Sequence, residues 1–171
     1  MSEIDKYADS LGANYLPDTG NVKINGGDPI LLSESRDFKY LEGSGTKNDP
    51  FLITSFDDLL LFNKHSTANR YKDKKYYKQT ADIEWNAQEN WAPVSVQEIH
   101  YDGDGHKISK LRSYSEGGCA AFLDATDQPA YVDNLVLEDV DIRGGTMAAG
   151  LLCFGPLYAS NIKISGSIAA M

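Results

Sequence analysis

The segment Asn134-Leu135-Val136-Leu137 returns 27 residues later as Asn161-Ile162-Lys163-Ile164, and Tyr131 returns as Tyr158 at the same offset. A fixed period of this length, with one short alternating strand per unit, is typical of a stacked solenoid. Each unit has too few apolar residues to form a core alone, so equivalent strands must stack ~4.8 Å apart to join their interiors. We therefore predict an all-β fold, a short parallel β-helix.

Glycines and aliphatic residues outside this segment fit the same offset. Gly117-Gly118 recurs as Gly144-Gly145, and Ile108 corresponds to Leu135. Glycine allows the backbone to turn sharply, so we place these glycine pairs at corners of the coil.

Length and composition allow one compact domain and a short appendage. The chain has 171 residues, of which 42% are hydrophobic and 24% are charged, and domains commonly hold about 100 to 200 residues.

The net charge of -9 opposes binding to nucleic acid or anionic membranes. No window approaches the ~20 apolar residues that cross a bilayer, so we predict no membrane insertion. The start of the chain lacks a secretory pattern, which favours a cytosolic protein or a component of a larger particle.

The two cysteines, Cys119 and Cys153, are too few for a disulfide framework and have no metal-ligand spacing. We expect both to be small core residues. No motif for a cofactor or metal occurs, so neither is predicted.

Residues 1–42 are predicted to form an extended N-terminal arm for attachment or oligomerisation. Gly and Pro recur too often for a long helix or strand, yet the segment is too apolar for a solvated linker. We expect a partner surface to bury its apolar residues, which are Ile4, Tyr7, Leu11, Tyr15 and Leu16.

Residues 43–171 are predicted to form the β-helix, beginning with a capping helix near residues 55–63. Ser55 and Asp58 form a capping box with Asp in place of Glu, and Phe56, Leu59 and Leu60 share one helical face. A helix here would cover the open end of the first coil, with Leu59 and Leu60 as its anchors.

A family resemblance rests on an ordered series of segments between residues 43 and 168. The series is Gly43-Ser44-Gly45-Thr46-Lys47-Asn48-Asp49-Pro50-Phe51-Leu52-Ile53, the helix after it, Tyr77-Lys78-Gln79-Thr80-Ala81-Asp82-Ile83, Trp91-Ala92-Pro93-Val94 and Tyr101-Asp102-Gly103-Asp104-Gly105-His106-Lys107-Ile108. It resembles the opening of the β-helix domains with GLUG-type repeats in bacterial surface adhesins and phage fibre or virion proteins. The resemblance implies a right-handed β-helix with a helix-covered first coil, and a role in adhesion, surface display or virion fibres.

The segment Asp102-Gly103-Asp104-Gly105-His106 has alternate carboxylates, as a Ca²⁺ loop does. Ser113 stands where an EF-hand loop counted from Asp102 needs its last carboxylate. We therefore predict a β-turn with hydrogen-bonding Asp side chains.

Polysaccharide-degrading enzymes with a β-helix fold need convergent carboxylates on one lateral face. Asp139 and Asp141 share an outward face, but the 27-residue offset carries them to Gly166 and Ile168. Because the next rung supplies no second carboxylate, we predict a solvated face and no enzyme. The acidic candidates and their basic neighbour are Asp133, Glu138, Asp139, Asp141 and Arg143.

The basic segment between residues 64 and 78 could bind single-stranded nucleic acid through phosphate contacts and base stacking. The acidic chain opposes this, so we expect a solvated loop that docks on the acidic segment 81–130 and no nucleic-acid partner. The segment contains Lys64, Arg70, Tyr71, Lys72, Lys74, Lys75, Tyr76, Tyr77 and Lys78.

Four aromatic residues form a candidate glycan platform, because aromatic faces stack on apolar sugar faces. Core packing of the first coil is the alternative for these residues. They are Trp85, Trp91, Tyr101 and Tyr114.

Taken together, these features favour a non-enzymatic phage virion structural protein, such as a fibre, spike or decoration subunit. A bacterial surface adhesin or carbohydrate-binding module is the first alternative, with a cell-surface location, and a polysaccharide-degrading enzyme is the second. The segment from Ala148 to Ile168 has no capping element after it. We expect other virion or surface proteins, further chain, or copies of itself in a homo-oligomer, first of all a trimer, to cover it.

Overall fold

The computed structural model describes residues 15–16, 30–31, 41–67, 75–85, 90–94, 98–124 and 128–171. They form a parallel β-solenoid of about four turns, which confirms the predicted fold. Within these described ranges one helix, α1 (Phe56–Thr67), precedes the first complete turn. The strands in chain order are β1 (Tyr15–Leu16), β2 (Ile30–Leu31), β3 (Phe51–Ile53), β4 (Lys75–Gln79), β5 (Ile83–Glu84), β6 (Ile99–Asp102), β7 (Lys107–Ser109), β8 (Arg112–Ser115), β9 (Cys119–Ala120), β10 (Ala130–Asp133), β11 (Val136–Gly144), β12 (Met147–Ala148), β13 (Leu157–Ser160) and β14 (Lys163–Ala170).

The solenoid has three lateral faces. The first sheet stacks β3, β4, β6, β10 and β13, with every neighbouring pair parallel. The second sheet stacks β5, β7, β11 and β14, and β8 also pairs with β11. The third face consists of β9 with β12 and of bridges that join Val94, Leu123 and Leu152.

Two short strands lie in the predicted arm, where β1 and β2 pair antiparallel with Tyr15 opposite Leu31. The side chains of Tyr15 and Leu16 are not described. Ile4, Tyr7 and Leu11 lie outside the described residues, so their burial against a partner stays a prediction.

The core fills the space between the three faces. Strand residues alternate in direction, so Tyr77, Tyr101 and Val132 of the first sheet point inward and are buried. Ile108 and Leu137 meet them from the second sheet. Burial raises the pKa of the Tyr101 phenol well above its usual value. The hydroxyl therefore keeps its proton and donates a hydrogen bond to Gln79 Oε1 at 3.1 Å.

Helix α1 starts at the predicted capping box. The Asp58 carboxylate accepts hydrogen bonds from the Thr54 amide at 3.0 Å and the Ser55 hydroxyl at 2.9 Å, and the Asp58 amide donates to Ser55 Oγ at 3.3 Å. These bonds satisfy polar groups that a helix N-terminus otherwise leaves unpaired. The helix ends at Thr67 and is longer than predicted.

The helix also seats an aromatic side chain in the core. Phe62 is fully buried, and its ring centroid lies 4.7 Å from that of Tyr77 and 5.3 Å from that of Tyr101. Leu59 is buried as predicted, whereas Leu60 is only partly buried. Leu59 and Phe62, rather than Leu60, are therefore the main anchors.

The predicted period of 27 residues holds between the last two turns, where Tyr131 pairs with Tyr158. It is wrong between the preceding turns, because Ile108 lies beside Leu137 rather than Leu135. Corner length explains the difference. Between the third face and the first sheet, the chain advances seven residues from Leu123 to Ala130 but only five between their partners, Leu152 and Leu157.

The predicted glycine corners are only partly equivalent. Gly144 lies beside Ser115 rather than Gly117, so the two glycine pairs are offset in space. A Cβ atom on Gly145 would lie 1.7 Å from the Glu116 carbonyl oxygen, which explains why this corner needs glycine.

Cys119 and Cys153 form a disulfide, which corrects the expectation that both are simply small core residues. They are separated by 34 residues in the sequence but lie 5.9 Å apart between Cα atoms. The third faces of successive turns stack side by side, which brings Cys119 of one turn to Cys153 of the next. The bond therefore covalently ties two adjacent turns.

Candidate functional site

The outer face of the first sheet carries two parallel columns of side chains. One column is aromatic and crosses β4, β6, β10 and β13 in register; its members are Tyr76, His100, Tyr131 and Tyr158. The other lies two residues further along each strand; its members are Lys78, Asp102, Asp133 and Ser160. Strand alternation places both columns outward, because the residue between them on each strand points inward.

The aromatic column is a continuous stack of rings. The centroid distances are 4.3 Å from Tyr76 to His100, 4.2 Å from His100 to Tyr131 and 5.0 Å from Tyr131 to Tyr158. The interplanar angles of 22°, 7° and 12° show near-parallel rings. Neighbours cover the faces of His100 and Tyr131, so these two rings present their edges and polar atoms outward.

The polar column is held by hydrogen bonds. The Lys78 ammonium lies 3.1 Å from the Asp104 carboxylate. Asp102 Oδ1 accepts a hydrogen bond from the Asp104 amide at 2.9 Å, and Asp133 Oδ1 accepts one from the Ser160 hydroxyl. These contacts restrict the orientations of the side chains in the column.

An amide ladder borders the polar column at the next corner. Asn134 Nδ2 donates to Asp102 Oδ1 at 3.0 Å, and Asn161 Nδ2 donates to Asn134 Oδ1 at 3.0 Å. Asn134 and Asn161 both adopt left-handed backbone conformations, with φ of 52° and 51°. Asparagine tolerates this region better than most residues, which explains its recurrence at this corner.

A groove of about 700 Å³ runs along this face. Its walls come from both columns, from the amide ladder and from the turn before β3. The lining residues are Lys47, Pro50, Tyr76, Tyr77, Lys78, His100, Tyr101, Asp102, Asp133, Asn134 and Ser160. The size of the groove suits a small ligand.

The outer face of the second sheet carries paired charges over a smaller groove of about 330 Å³. Lys107 pairs with Glu138 at 2.9 Å, and Lys110 with Glu84 at 3.1 Å. The hydrogen bond to Glu138 raises the pKa of Lys107. This face is exposed and carries both positive and negative side chains, as a solvated surface does.

Asp82 and His106 add a further pair to the second sheet. The Asp82 carboxylate lies 3.0 Å from His106 Nδ1 and accepts a bond from the Lys107 amide at 3.2 Å. The His106 hydrogen bond, followed by that of Lys107, lowers the pKa of Asp82 below its usual value of 3.8.

The predicted glycan platform is not a surface feature. Trp85, Trp91 and Tyr101 are at most 2% exposed, because they pack in the core beneath α1. Trp91 Nε1 donates to the Phe122 carbonyl at 2.9 Å. Tyr114 is 48% exposed but lies on β8 of the second sheet, away from the others. The prediction of these four residues as one platform is therefore wrong.

The positions of Asp139 and Asp141 differ from those predicted by the constant 27-residue offset. Asp139 lies at a register shift with φ of 54°, and Asp141 pairs with Ser167 rather than Ile168. The shift adds one residue to β11, which the constant offset could not include. Arg143 contacts the Asp141 carboxylate through two nitrogens, at 2.8 and 3.2 Å, and this contact raises the pKa of Arg143.

The predicted turn at residues 102–106 is confirmed. Asp104 and Gly105 have φ of 51° and 82°, and the Asp102 side chain closes the turn on the Asp104 amide. Among the residues that the structure describes, no three His, Cys, Asp or Glu side chains cluster as metal ligands do.

The basic segment is described only in part. Lys78 contacts Asp104, which belongs to the acidic segment predicted to receive it. Tyr76 stacks outside on His100, whereas Tyr77 is buried in the core. The side chains of Lys64, Arg70, Tyr71, Lys72, Lys74 and Lys75 lie outside the described residues.

Most residues of this site were not predicted from the sequence. The recurrence of Tyr131 as Tyr158 was the visible signal, but Tyr76 and His100 stand at other offsets from them. Each of the four strands has an aromatic residue two positions before a polar residue. A search for this pattern would have identified both columns.

Across the described ranges, no helix has the length and apolar character of a membrane span.

Comparison with known proteins gives two similarities. Halomucin of Haloquadratum walsbyi is 26% identical over 144 residues, which cover 74% of this chain and 2% of halomucin. A crystal structure from Bacteroides ovatus, of a protein provisionally assigned as an immunoglobulin A1 protease, aligns with a TM-score of 0.48 and 20% identity. That alignment covers 60% of this chain and 30% of the other. No protein-family model matches the chain.

Proposed function

We propose that this chain is a non-enzymatic β-solenoid module of a protein displayed outside the cell, where it serves attachment or assembly. The observation that carries this proposal is the disulfide between Cys119 and Cys153. Disulfides persist in oxidising, extracellular environments and are rare in the cytosol. The bond therefore favours an exported location over the cytosolic one that the start of the chain suggested.

The similarity to halomucin supports a cell-surface location. The chain spans about 2% of the length of that relative. The similarity favours the adhesin class over the virion subunit, for which no comparison provides support.

The absence of catalysis is part of the proposal and rests on how the carboxylates are used. General acid and base catalysis needs two carboxyl groups that face one substrate bond. Asp141 is engaged by Arg143 and Glu138 by Lys107 on the second sheet, and Ser160 engages Asp133 on the first. Such pairing supports a binding surface rather than a reaction centre.

Surface labelling of intact source cells tests the location. A membrane-impermeant amine reagent should label the chain to the same extent before and after lysis, because the protein is already outside. Labelling that appears only after lysis would contradict the proposal. Incubation of the purified chain with envelope polysaccharides should release no reducing ends, and release above a heat-treated control would contradict the non-enzymatic part.

A further inference from the structure

We propose that the groove on the first sheet binds a neutral oligosaccharide laid along the solenoid axis. This inference deepens the proposed attachment function by naming the class of its ligand. The groove combines a preorganised polar wall with an aromatic wall, and its volume of about 700 Å³ suits a short chain of sugar units.

The charge of the groove favours a neutral ligand. Two lysines, Lys47 and Lys78, face two aspartates, Asp102 and Asp133, so the formal charges of the lining cancel. Lys78 is further engaged by Asp104. The chain as a whole carries a net charge of -9, which repels polyanions. An acidic polysaccharide therefore gains nothing from the charge of this surface.

The hydrogen-bonding groups match sugar hydroxyls, which both donate and accept. The lining offers carboxylate acceptors at Asp102 and Asp133, ammonium donors at Lys47 and Lys78, and the Ser160 hydroxyl oxygen as a further acceptor. These groups repeat from strand to strand at ~4.8 Å, so the four strands span roughly 14 Å along the axis. A linear oligosaccharide presents its hydroxyls at a comparable repeat.

A peptide fits this surface less well. Extended peptides are captured through main-chain hydrogen bonds at a sheet edge. The groove lies on the face of the sheet, where the backbone groups of β6 and β10 already bond to neighbouring strands. A ligand here must be recognised by side chains, as sugars are.

The test is isothermal titration calorimetry of the full chain with neutral hexasaccharides (cellohexaose, mannohexaose and chitohexaose). Hexagalacturonate and a polar hexapeptide serve as comparison probes. We expect at least one neutral probe to bind, with little dependence on salt, and the comparison probes to bind more weakly. No binding of any neutral probe at millimolar concentration, or equal binding of a comparison probe, would overturn the inference.

Variants locate the site. Asp133→Asn and, independently, Lys78→Gln should each weaken the neutral probe by roughly tenfold or more, because each removes a charged hydrogen-bonding partner. Asp139→Asn and Tyr114→Ala, which alter exposed residues of the second sheet, are the matched controls and should leave affinity unchanged. Thermal unfolding of every variant separates lost binding from lost folding. Unchanged affinity in both groove variants would overturn the inference, whereas the surface-labelling result is independent of it.

Discussion

Asn134 links three turns of the solenoid at the residue scale. Its side chain donates to Asp102 of the preceding turn and accepts from Asn161 of the next. Its backbone is left-handed, a conformation that asparagine adopts more readily than alanine. The residue therefore combines a local backbone role with contacts across turns.

Replacing Asn134 by Ala should lower the free energy of unfolding by about 1 to 3 kcal/mol, since it removes two hydrogen bonds and a favourable left-handed residue. Asn161→Ala is the control, because Asn161 has a similar φ and takes part in the ladder through its bond to Asn134. Urea denaturation measures both. Equal losses in the two variants would show that the bond from Asn134 to Asp102 adds nothing to stability.

Asp82 should titrate abnormally. The His106 hydrogen bond lowers its folded pKa below 3.8, so this contact stabilises the fold above the unfolded pKa and is lost as pH falls through the folded value. Carboxyl-carbon NMR titration should place its midpoint below 3.8, and His106→Ala should raise that midpoint. A midpoint unaffected by the variant would assign the shift to another cause.

The start of helix α1 is determined by residues that lie close together in the sequence. Ser55 and Asp58 define its start within four residues, so the capping box could be predicted correctly. Its packing could not, because the exposure of Leu60 depends on where the core of distant turns lies. Helical spacing predicts a face but not the depth to which each residue on it is buried.

Leu59→Ala should lower the free energy of unfolding by about 2 to 5 kcal/mol, as expected for a fully buried leucine. Leu60→Ala should cost clearly less, because Leu60 is only partly buried. Chemical denaturation of both variants checks this order. A larger loss for Leu60 would mean that α1 packs through a different face.

At the scale of the whole molecule, the lengths of the corners decide which residues of successive turns lie side by side, and these lengths could not be predicted from the sequence. A repeat such as Tyr131 and Tyr158 is visible when successive turns have equal length. The match of His100 to Tyr131 and the disulfide of Cys119 with Cys153 depend on unequal corners. Such contacts follow only from the three-dimensional register, and they include most of the candidate site.

The last turn leaves an extended surface exposed. Every residue of β13 and β14 is exposed, including Ile164 at 37% and Ile168 at 43%. Because exposed apolar strands associate, the isolated chain should self-associate at high concentration, with a trimer as the first expected state.

Light scattering with intact mass measurement tests this association. Joint replacement of Ile164 and Ile168 by Lys should reduce it, while Tyr114→Lys on the second sheet should not. A wild-type chain of 18.8 kDa that stays monomeric at high concentration would contradict the prediction.

The redox state of Cys119 and Cys153 in the source organism tests the central claim most directly. Thiols are blocked with an alkylating reagent in intact cells and culture medium before extraction, and the peptides are analysed by mass spectrometry without reduction. An exported solenoid module predicts a peptide pair linked through Cys119 and Cys153, with neither residue alkylated. Full alkylation of both cysteines would show a reduced, intracellular protein and would contradict the proposed function.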